Sequence, residues 1–305
     1  MRCLPAGISA RSIFRTTPYF SKGFASKMTE TCTHHCSSCK ISDCNSRNNL
    51  RQPSARKGLS TNPFSTVKHL FGIVSGKGGV GKSLVTSLLA SEMQKRGYKV
   101  GILDADITGP SIPKSFGIEG MMGIDENGLV PLATKSGIKV MSANMMLPEG
   151  DMPLAWRGPV VTGAITRFWE EVSWGDIDYM FIDMPPGTSD AFLTVLQMLP
   201  IEGVITVSAP QELVAMIVGK AVNLANRLNV PVVGLVENMS YFMCDKCEKR
   251  HYIFGSPQGK TIADRYGIPA TATLPIDPVI SQLCDKGEIE HYQACGALDE
   301  IIDHL

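Results

Sequence analysis

Several features are missing from this sequence of 305 residues, and each absence excludes a class of protein. It contains no uncharged apolar run of about 18 residues, the length that a membrane-spanning helix needs. The nearest stretch, from Ile201 to Ala221, is interrupted by Glu202, Glu212 and Lys220. Neither sign of charge is in excess, because 29 basic residues balance 29 acidic ones. We therefore expect neither stable membrane insertion nor a nucleic-acid partner.

The balanced total conceals an uneven distribution of charge. Residues 1–63 carry ten basic and two acidic side chains, whereas residues 64–305 carry 19 basic and 27 acidic ones. Residues 1–29 contain arginine, lysine and serine but no acid, and they lack the continuous apolar core of a secretory signal. This composition is typical of a mitochondrial transit peptide, and a plain disordered tail is the alternative. We expect the mitochondrial matrix as the location, with the cytoplasm as the alternative.

The remaining chain divides into two parts by composition. Residues 30–63 combine a cysteine-rich stretch with a polar, basic and nearly aliphatic-free one from residue 45 onward, which is typical of a flexible linker. Residues 64–305 have the apolar content of a folded domain. We expect this domain to begin near Phe64.

Within that domain, short apolar runs alternate with segments of helical periodicity. The predicted strands are His69–Val74, Val100–Leu103, Lys139–Met145, Tyr179–Ile182, Gly203–Val207, Val230–Leu235 and Thr271–Leu274. The predicted helices are Ser83–Arg96, Gly163–Glu171, Asp190–Leu199, Glu212–Leu228, Gly259–Tyr266 and Ala297–His304. Continuously apolar strands separated by helices indicate an α/β fold, with a mostly parallel sheet covered by helices on both faces.

The strongest motif is GKGGVGKS, which follows the first strand and opens the first helix. Its spacing is that of a phosphate-binding loop (P-loop). The loop residues are Gly76, Lys77, Gly78, Gly79, Val80, Gly81, Lys82 and Ser83. Glycines let backbone N–H groups point at phosphate oxygens, and the helix N-terminus adds its dipole. We expect Lys82 to reach the β- and γ-phosphates of ATP and Ser83 to bind Mg²⁺.

The second lysine of the loop, Lys77, distinguishes this motif from an ordinary P-loop. It resembles the signature lysine of the deviant Walker A class, which includes MinD- and ParA-like ATPases. In that class the lysine reaches across a dimer interface to the partner's nucleotide. The resemblance implies dimerisation that depends on ATP, whereas an exposed loop lysine without that role is the alternative.

Carboxylates follow two of the predicted strands at the sheet edge where open α/β folds bind ligands. Asp104 and Asp106 end the second strand, and Asp183 ends the strand before MPPG. We predict that Asp106 orients the attacking water or joins the metal shell, and that Asp183 supports Mg²⁺. Asp104 fits a structural role, and helix capping or a turn is the alternative for Asp106.

The nine cysteines are clustered, which favours metal ligation over a disulfide framework. Cys244 and Cys247 form a CxxC six residues after Asn238, whose amide is placed to read adenine. Two thiolates make half of a tetrahedral site, so a two-fold dimer would supply four ligands for a [4Fe–4S] cluster or Zn²⁺. The alternatives are a redox CxxC and a one-chain zinc knuckle that includes His251.

A second group of thiols lies near the N-terminus. Its members are Cys32, Cys36, Cys39 and Cys44. Four closely spaced thiols can hold a cluster or zinc without help from a fold, and coincidental cysteines in a tail are the alternative.

Taken together, GKGGVGKS, LDADITGPSIP, FIDMPPGTSD, VENMSYFMC and LPIDP resemble the Mrp-type ATPases that carry iron–sulfur clusters. The resemblance covers residues 64–305. It implies a homodimer, or a heterodimer with a paralogue, that hydrolyses ATP slowly and hands a labile [4Fe–4S] cluster to apo iron–sulfur proteins. By position, Lys77, Lys82, Ser83, Asp106 and Asp183 would serve ATP, Asn238, Pro275 and Asp277 would lie near the base, and Cys244 and Cys247 would hold the cluster.

The transit-like N-terminus favours the mitochondrial branch of that family, which serves respiratory complex I. An N-terminal four-cysteine motif is instead a feature of the cytosolic scaffold branch, although with a longer gap before the second cysteine. A MinD- or ParA-type positioning ATPase is the rival function. It would not need Cys244 and Cys247, and a membrane version would end in a basic amphipathic helix, whereas this chain ends ACGALDEIIDHL. A metabolic ATP-dependent ligase is the third hypothesis.

Overall fold

A mostly parallel β-sheet organises the computed structural model, which describes residues 58–106, 111–146, 158–187, 190–210 and 214–305. These residues belong to one compact unit, residues 56–305. The expected transit peptide and the four N-terminal cysteines lie outside the described residues, so both stay predictions. None of the described helices is both long and apolar enough to span a membrane.

The strands, numbered in chain order, are β1 (Ser65–Ser75), β2 (Val100–Asp104), β3 (Gly123–Asp125), β4 (Gly128–Val130), β5 (Leu132–Ala133), β6 (Lys139–Ser142), β7 (Gly175–Asp183), β8 (Gly203–Ser208), β9 (Val232–Met243), β10 (Arg250–His251) and β11 (Ala270–Ile276). The helices are α1 (Lys82–Lys95), α2 (Ile112–Ser115), α3 (Gly158–Glu170), α4 (Asp190–Met198), α5 (Val214–Arg227), α6 (Gly259–Tyr266), α7 (Pro278–Lys286) and α8 (Asp299–Ile302). Short 3₁₀ helices cover Ala143–Met146 and Ile289–His291.

Nine of the described strands form the main sheet in the order β10–β9–β8–β1–β7–β2–β6–β5, with β11 paired to β9. All neighbours are parallel except β5 with β6 and β10 with β9, while β3 and β4 form a separate antiparallel hairpin. Parallel strands bring their carboxyl ends to one edge. The expected α/β class is therefore confirmed, and β1, β2, β7 and β9 deliver their following loops to the same edge.

The central strand β1 explains why its sequence is continuously apolar. Leu70 and Val74 face one core, where α3, α4 and α5 pack, whereas Phe71 and Ile73 face a second core against α1, α7 and α8. Successive side chains of a strand point to opposite faces, so a strand covered on both faces needs apolar residues at every position. The predicted two-sided coverage by helices is confirmed.

Several element boundaries differ from the prediction. The strand expected at Val230–Leu235 extends to Met243, because beyond the end of β8 it continues to pair with β11 and β10. The final predicted helix shrinks to Asp299–Ile302. Helix α7 was not predicted, although Asp277 followed by Pro278 is the pattern of a capped helix start.

Packing of the domain begins before the expected start at Phe64. The backbone N–H of Leu59 donates to the carbonyl of Met198 at 2.7 Å, and the indole N–H of Trp169 donates to the carbonyl of Leu59 at 2.9 Å. The buried amide of Asn62 donates to the Asn127 carbonyl at 2.9 Å. The first residues described after residue 57 are thus part of the packed unit rather than of a linker.

Candidate functional site

The P-loop connects the end of β1 to the start of α1. Gly79 and Gly81 have φ angles of 81° and 85°, in the left-handed region that favours glycine. A Cβ at Gly78 or Gly79 would project into open space, so the loop leaves its backbone accessible there. Helix α1 starts at Lys82, and its first helical bond runs from the Val85 N–H to the Gly81 carbonyl at 3.0 Å. This is the strand–loop–helix geometry that binds phosphate.

Lys82 is the buried cation of the site, with 6% of its side chain exposed. Its Nζ lies 2.8 Å from Asp183 Oδ1 and 3.4 Å from Asp106 Oδ2. A buried charge is stable only when it is paired. Three residues predicted from separate motifs are therefore in contact at one edge of the sheet.

Asp183 is the centre of this polar cluster. Its carboxylate accepts hydrogen bonds from Ser83 Oγ at 2.5 Å and from Thr86 Oγ1 at 2.9 Å. Burial raises the pKa of Asp183, while the Lys82 ammonium and these bonds oppose that rise. Sequence reasoning missed Thr86. The i, i+3 spacing between Ser83 and Thr86 places both hydroxyls on one face of α1, and this spacing could have identified Thr86 from the sequence.

Asp104 is fully buried beside this cluster. Its carboxyl group accepts from Ser142 Oγ at 3.0 Å and from the backbone N–H of Asp106 at 3.1 Å. Burial, reinforced by the negative Asp183, raises the pKa of Asp104 well above its ordinary value. A buried Asp104 that fixes the backbone of Asp106 agrees with the structural role given to it from the sequence.

The segment after β7 is tied to the P-loop strand. The N–H of Met184 donates to the Ile73 carbonyl at 3.1 Å, and the N–H of Gly187 donates to the Ser75 carbonyl at 2.9 Å. The half-buried Pro185 and Pro186 lie between these two bonds. The stiff segment Pro185–Gly187 is thereby held beside the start of the phosphate loop.

The three residues expected near the base make contacts of their own. Asn238 Nδ2 donates to the Val80 carbonyl of the P-loop at 3.0 Å. Pro275 pairs with Tyr241 of β9, and Asp277 caps α7 by accepting from the Val279 N–H at 2.9 Å. Asp277 also accepts from Tyr292 Oη at 3.1 Å. Asn238 thus lies at the P-loop, while base contacts by the three residues stay predictions.

The CxxC lies in a tight turn directly after β9. The N–H of Cys244 donates to the Lys249 carbonyl at 3.0 Å, and the N–H of Glu248 donates to the Cys244 carbonyl at 2.9 Å. Hydrogen bonds from the backbone of Lys246, and then from Cys247, lower the pKa of the Cys244 thiol. Cys247 is exposed and Cys244 partly so. The turn therefore presents two thiols to the outside, and the pKa of one of them is lowered.

This cysteine turn has only two ligands of its own. Among the described residues, no group of three or more His, Cys, Asp or Glu side chains is placed to hold one metal ion. His251, on β10, therefore does not complete a zinc knuckle within the described part of the chain. Any tetrahedral site at the turn needs ligands from elsewhere.

The matching family model is described as ParA, NUBPL iron-transfer P-loop NTPase, and it covers residues 66–305. The chain belongs to this family of iron-transfer P-loop NTPases. It is 42% identical to an iron–sulfur cluster carrier protein of Clostridium perfringens, over 88% of this chain and 97% of the relative. It is 39% identical to one of Methanococcus maripaludis, over 90% of this chain and 95% of the relative. The Mrp-type resemblance is confirmed.

Solved structures agree with the family's fold. A nucleotide-binding protein of Archaeoglobus fulgidus, solved in complex with ADP, is 42% identical and superposes with a TM-score of 0.69 over 78% of this chain and 91% of its own. The cell division ATPase MinD of Pyrococcus furiosus superposes with a TM-score of 0.58 over 77% of this chain and 97% of its own, at 20% identity. The second likeness establishes the shared fold alone. The P-loop cluster built by Lys82 and Asp183 therefore belongs to an NTPase.

Proposed function

We propose that this iron-transfer P-loop NTPase is an ATP-hydrolysing carrier that assembles a [4Fe–4S] cluster between two copies of the chain and transfers it to apo iron–sulfur proteins. The observation that carries the proposal is the exposed two-thiol turn on β9, the strand that also touches the P-loop through Asn238. A positioning ATPase needs no such thiol pair. The carrier relatives from bacteria and archaea support the same assignment.

The buried cluster supplies the chemistry of ATP hydrolysis. Lys82 would turn its ammonium group onto the β- and γ-phosphates. Ser83 and Asp183, already in contact at 2.5 Å, would hold Mg²⁺, which neutralises phosphate charge. Asp106, which lies 3.4 Å from Lys82, would orient the attacking water. Lys77 is exposed on the loop, where it can reach a partner's nucleotide.

The surface around the cysteine turn supports dimerisation there. Met243, Tyr252, Ile253 and Phe254 are 39–59% exposed, although each is a large apolar side chain. Exposed apolar groups that lie together in sequence around a functional group are typical of an interaction site. A two-fold axis beside this surface would bring two CxxC turns together and complete four thiolate ligands.

The N-terminal segment receives a separate proposal. The Methanococcus relative matches 90% of this chain, about 275 residues, so its match begins no later than about residue 31. Cys36, Cys39 and Cys44 therefore fall within the region matched to a carrier protein, and Cys32 lies at its border. We propose that they bind a second cluster or zinc, and that residues 1–29 direct the protein to the mitochondrial matrix, where complex I proteins are the recipients.

Iron reconstitution tests the carrier function. In the full chain, changing Cys32, Cys36, Cys39 and Cys44 to serine leaves the CxxC as the remaining cluster of thiols. Anaerobic reconstitution of this variant should give about four irons per dimer and a [4Fe–4S] absorption spectrum. Adding Cys244→Ser and Cys247→Ser should abolish both. Equal iron in the two proteins would contradict the carrier site, and zinc in place of iron would favour a structural metal.

A further inference from the structure

Strand β9 connects the P-loop to the cysteine turn, because it contacts the loop through a hydrogen bond and continues directly into the turn. Asn238 on this strand donates to the Val80 carbonyl, and Cys244 follows six residues later. The first half of β9 is fixed in the middle of the sheet, where its pairing with β8 runs to Glu237 opposite Ser208. The connection between the two sites is therefore concentrated in the few residues after Glu237.

Those residues form an irregularity in the strand. Thr273 of β11 pairs with Glu237, but Pro275 pairs with Tyr241, so two steps along β11 match four steps along β9. The two extra residues of β9 lie within 238–240, where Met239 has a φ of 55°. Ser240 Oγ donates back to the Glu237 carbonyl at 2.8 Å. Because a side chain at such a φ is strained, this bulge persists only if its surroundings hold it in place.

The surroundings hold the bulge from two sides. Glu237 accepts from the backbone N–H groups of Gln258 and Gly259, at 3.0 and 3.2 Å, which fixes the strand before the bulge. Asn238 binds the P-loop carbonyl of Val80, and a Cβ at Gly81 would come within 2.2 Å of its Nδ2. The bulge is therefore in close contact with two of the P-loop residues that would adjust to a bound phosphate chain.

We propose that Asn238 and Met239 are positioning residues that couple the P-loop to the cysteine turn. A change in the Val80–Gly81 backbone when nucleotide binds would shift Asn238. Since Glu237 is fixed, the strained bulge would pass that shift forward along β9 to Cys244. Nucleotide would thereby control the exposure of the two thiols through the bulge of β9. The biological purpose of this coupling rests on the proposed carrier function.

Alkylation of the metal-free full chain tests this coupling. Iodoacetamide labelling of Cys244 and Cys247 is followed by peptide mass spectrometry, with saturating Mg²⁺ and either ADP or a non-hydrolysable ATP analogue. In the unmodified sequence the two nucleotides should give labelling rates that differ about five-fold or more, the lower end of typical coupling between sites. At saturating concentrations of each nucleotide, Asn238→Ala should remove most of this difference in labelling rate.

Met239 permits a sharper comparison. Met239→Gly frees the backbone at the bulge and should reduce the ratio of labelling rates to near one. Met239→Ala removes the side chain but keeps the restriction of a Cβ, so most of the ratio should remain. Asn229→Gly is the control, because Asn229 also has a positive φ, 53°, but lies before β9 and away from the P-loop.

The outcomes separate two kinds of failure. Nucleotide-independent labelling in the unmodified sequence, or a ratio in Met239→Gly equal to that in Met239→Ala, would overturn the coupling. Loss of the ratio in Asn229→Gly would also overturn it, because it would indicate a general loosening of the fold. None of these measurements uses iron, whereas failure of the carrier function would appear in the reconstitution experiment.

Discussion

The nucleotide edge and the cysteine turn lie on the same sheet but are built in opposite ways. At the nucleotide edge, Lys82, Asp183 and Asp104 are buried and contact one another or near neighbours. At the cysteine turn, Cys247 is exposed, and the turn is held by its own backbone hydrogen bonds. The first site is assembled by its own chain, whereas the second has two thiols and an exposed apolar surface.

This difference indicates how the two sites divide the work. A preorganised polar cluster in a water-poor environment suits catalysis, because its charges are already in place. A pair of thiols on an exposed turn suits the handling of a cargo that has to be received and released. The same contrast predicts that damage to the two sites will have different consequences for activity and for stability.

The largest effect is expected for Lys82→Ala. The change removes the cation that faces the phosphates, so ATP hydrolysis should fall by about 10³-fold, the scale of a lost charge clamp in phosphoryl transfer. The thiols and the apolar surface of the cysteine turn are unchanged, so reconstitution without nucleotide should give the iron content of the unmodified chain. Steady-state phosphate release and iron analysis on the same preparation measure both quantities.

Lys68→Ala is the matched control for this change. Lys68 also pairs with an aspartate, Asp178 at 2.8 Å, but its side chain is 63% exposed and lies in the first half of β1, away from the P-loop. Its hydrolysis rate should be that of the unmodified chain. Similar losses in Lys68→Ala and Lys82→Ala would mean that the site has been assigned to the wrong edge.

The second prediction concerns the cysteine turn. Cys244→Ser with Cys247→Ser should change the free energy of unfolding by no more than about 0.5 kcal/mol, because neither thiol fills a core position. ATP hydrolysis by the isolated chain should be retained. Urea denaturation of the metal-free protein provides the measurement. A loss of several kcal/mol would mean that the turn is a structural element, which would remove the contrast between the two sites.

The third prediction concerns Asp104 and pH. Its pKa in the folded protein is raised above the ordinary 3.8, so the folded state binds this proton more tightly than the unfolded state does. The resulting stabilisation is complete below pH 3.8 and is lost as the pH rises through the folded pKa. The side chain in Asp104→Asn carries no charge at either pH. The free energy of unfolding of this variant, minus that of the unmodified chain, should therefore increase between pH 5 and pH 8.

Urea denaturation at the two pH values measures that advantage. Asp264→Asn serves as the control, because Asp264 is an aspartate that is exposed on α6 rather than buried at the site. An advantage of Asp104→Asn that shrinks with rising pH would contradict the raised pKa of Asp104.

The smallest effect is expected at Asp277. Asp277→Ala removes the cap of α7 and should cost about 1 kcal/mol of stability, whereas Asp277→Asn can still accept from the Val279 N–H and should cost much less. If Asp277 also contacts the base, both changes will raise the KM for ATP. An unchanged KM in both would leave Asp277 as a structural residue.

The sequence was sufficient for the parts of the molecule that depend on local pattern. The apolar runs predicted seven of the described strands, and the P-loop spacing identified Lys82, the lysine that the structure buries against Asp183. The bulge at Met239 could not be predicted, because it results from a mismatch between β9 and β11, two strands about 30 residues apart. Thr86 and Ser142 were missed for a similar reason, since their hydroxyls matter only once α1 and β6 lie beside the buried aspartates.

The contacts of Leu59 set a lower limit on the size of an independently folding carrier domain. The family match starts at residue 66, yet Trp169 and Met198 both form hydrogen bonds with the backbone of Leu59. The buried Asn62 forms a hydrogen bond with Asn127, in the turn between β3 and β4. A protease that trimmed the chain to residue 66 would leave Lys82, Asp106 and Asp183 in place. It would also expose the indole of Trp169. Three groups would lose these hydrogen bonds, namely Trp169 Nε1 and the carbonyls of Met198 and Asn127. We therefore expect a chain that begins at residue 66 to have a lower free energy of unfolding than one that begins at residue 58.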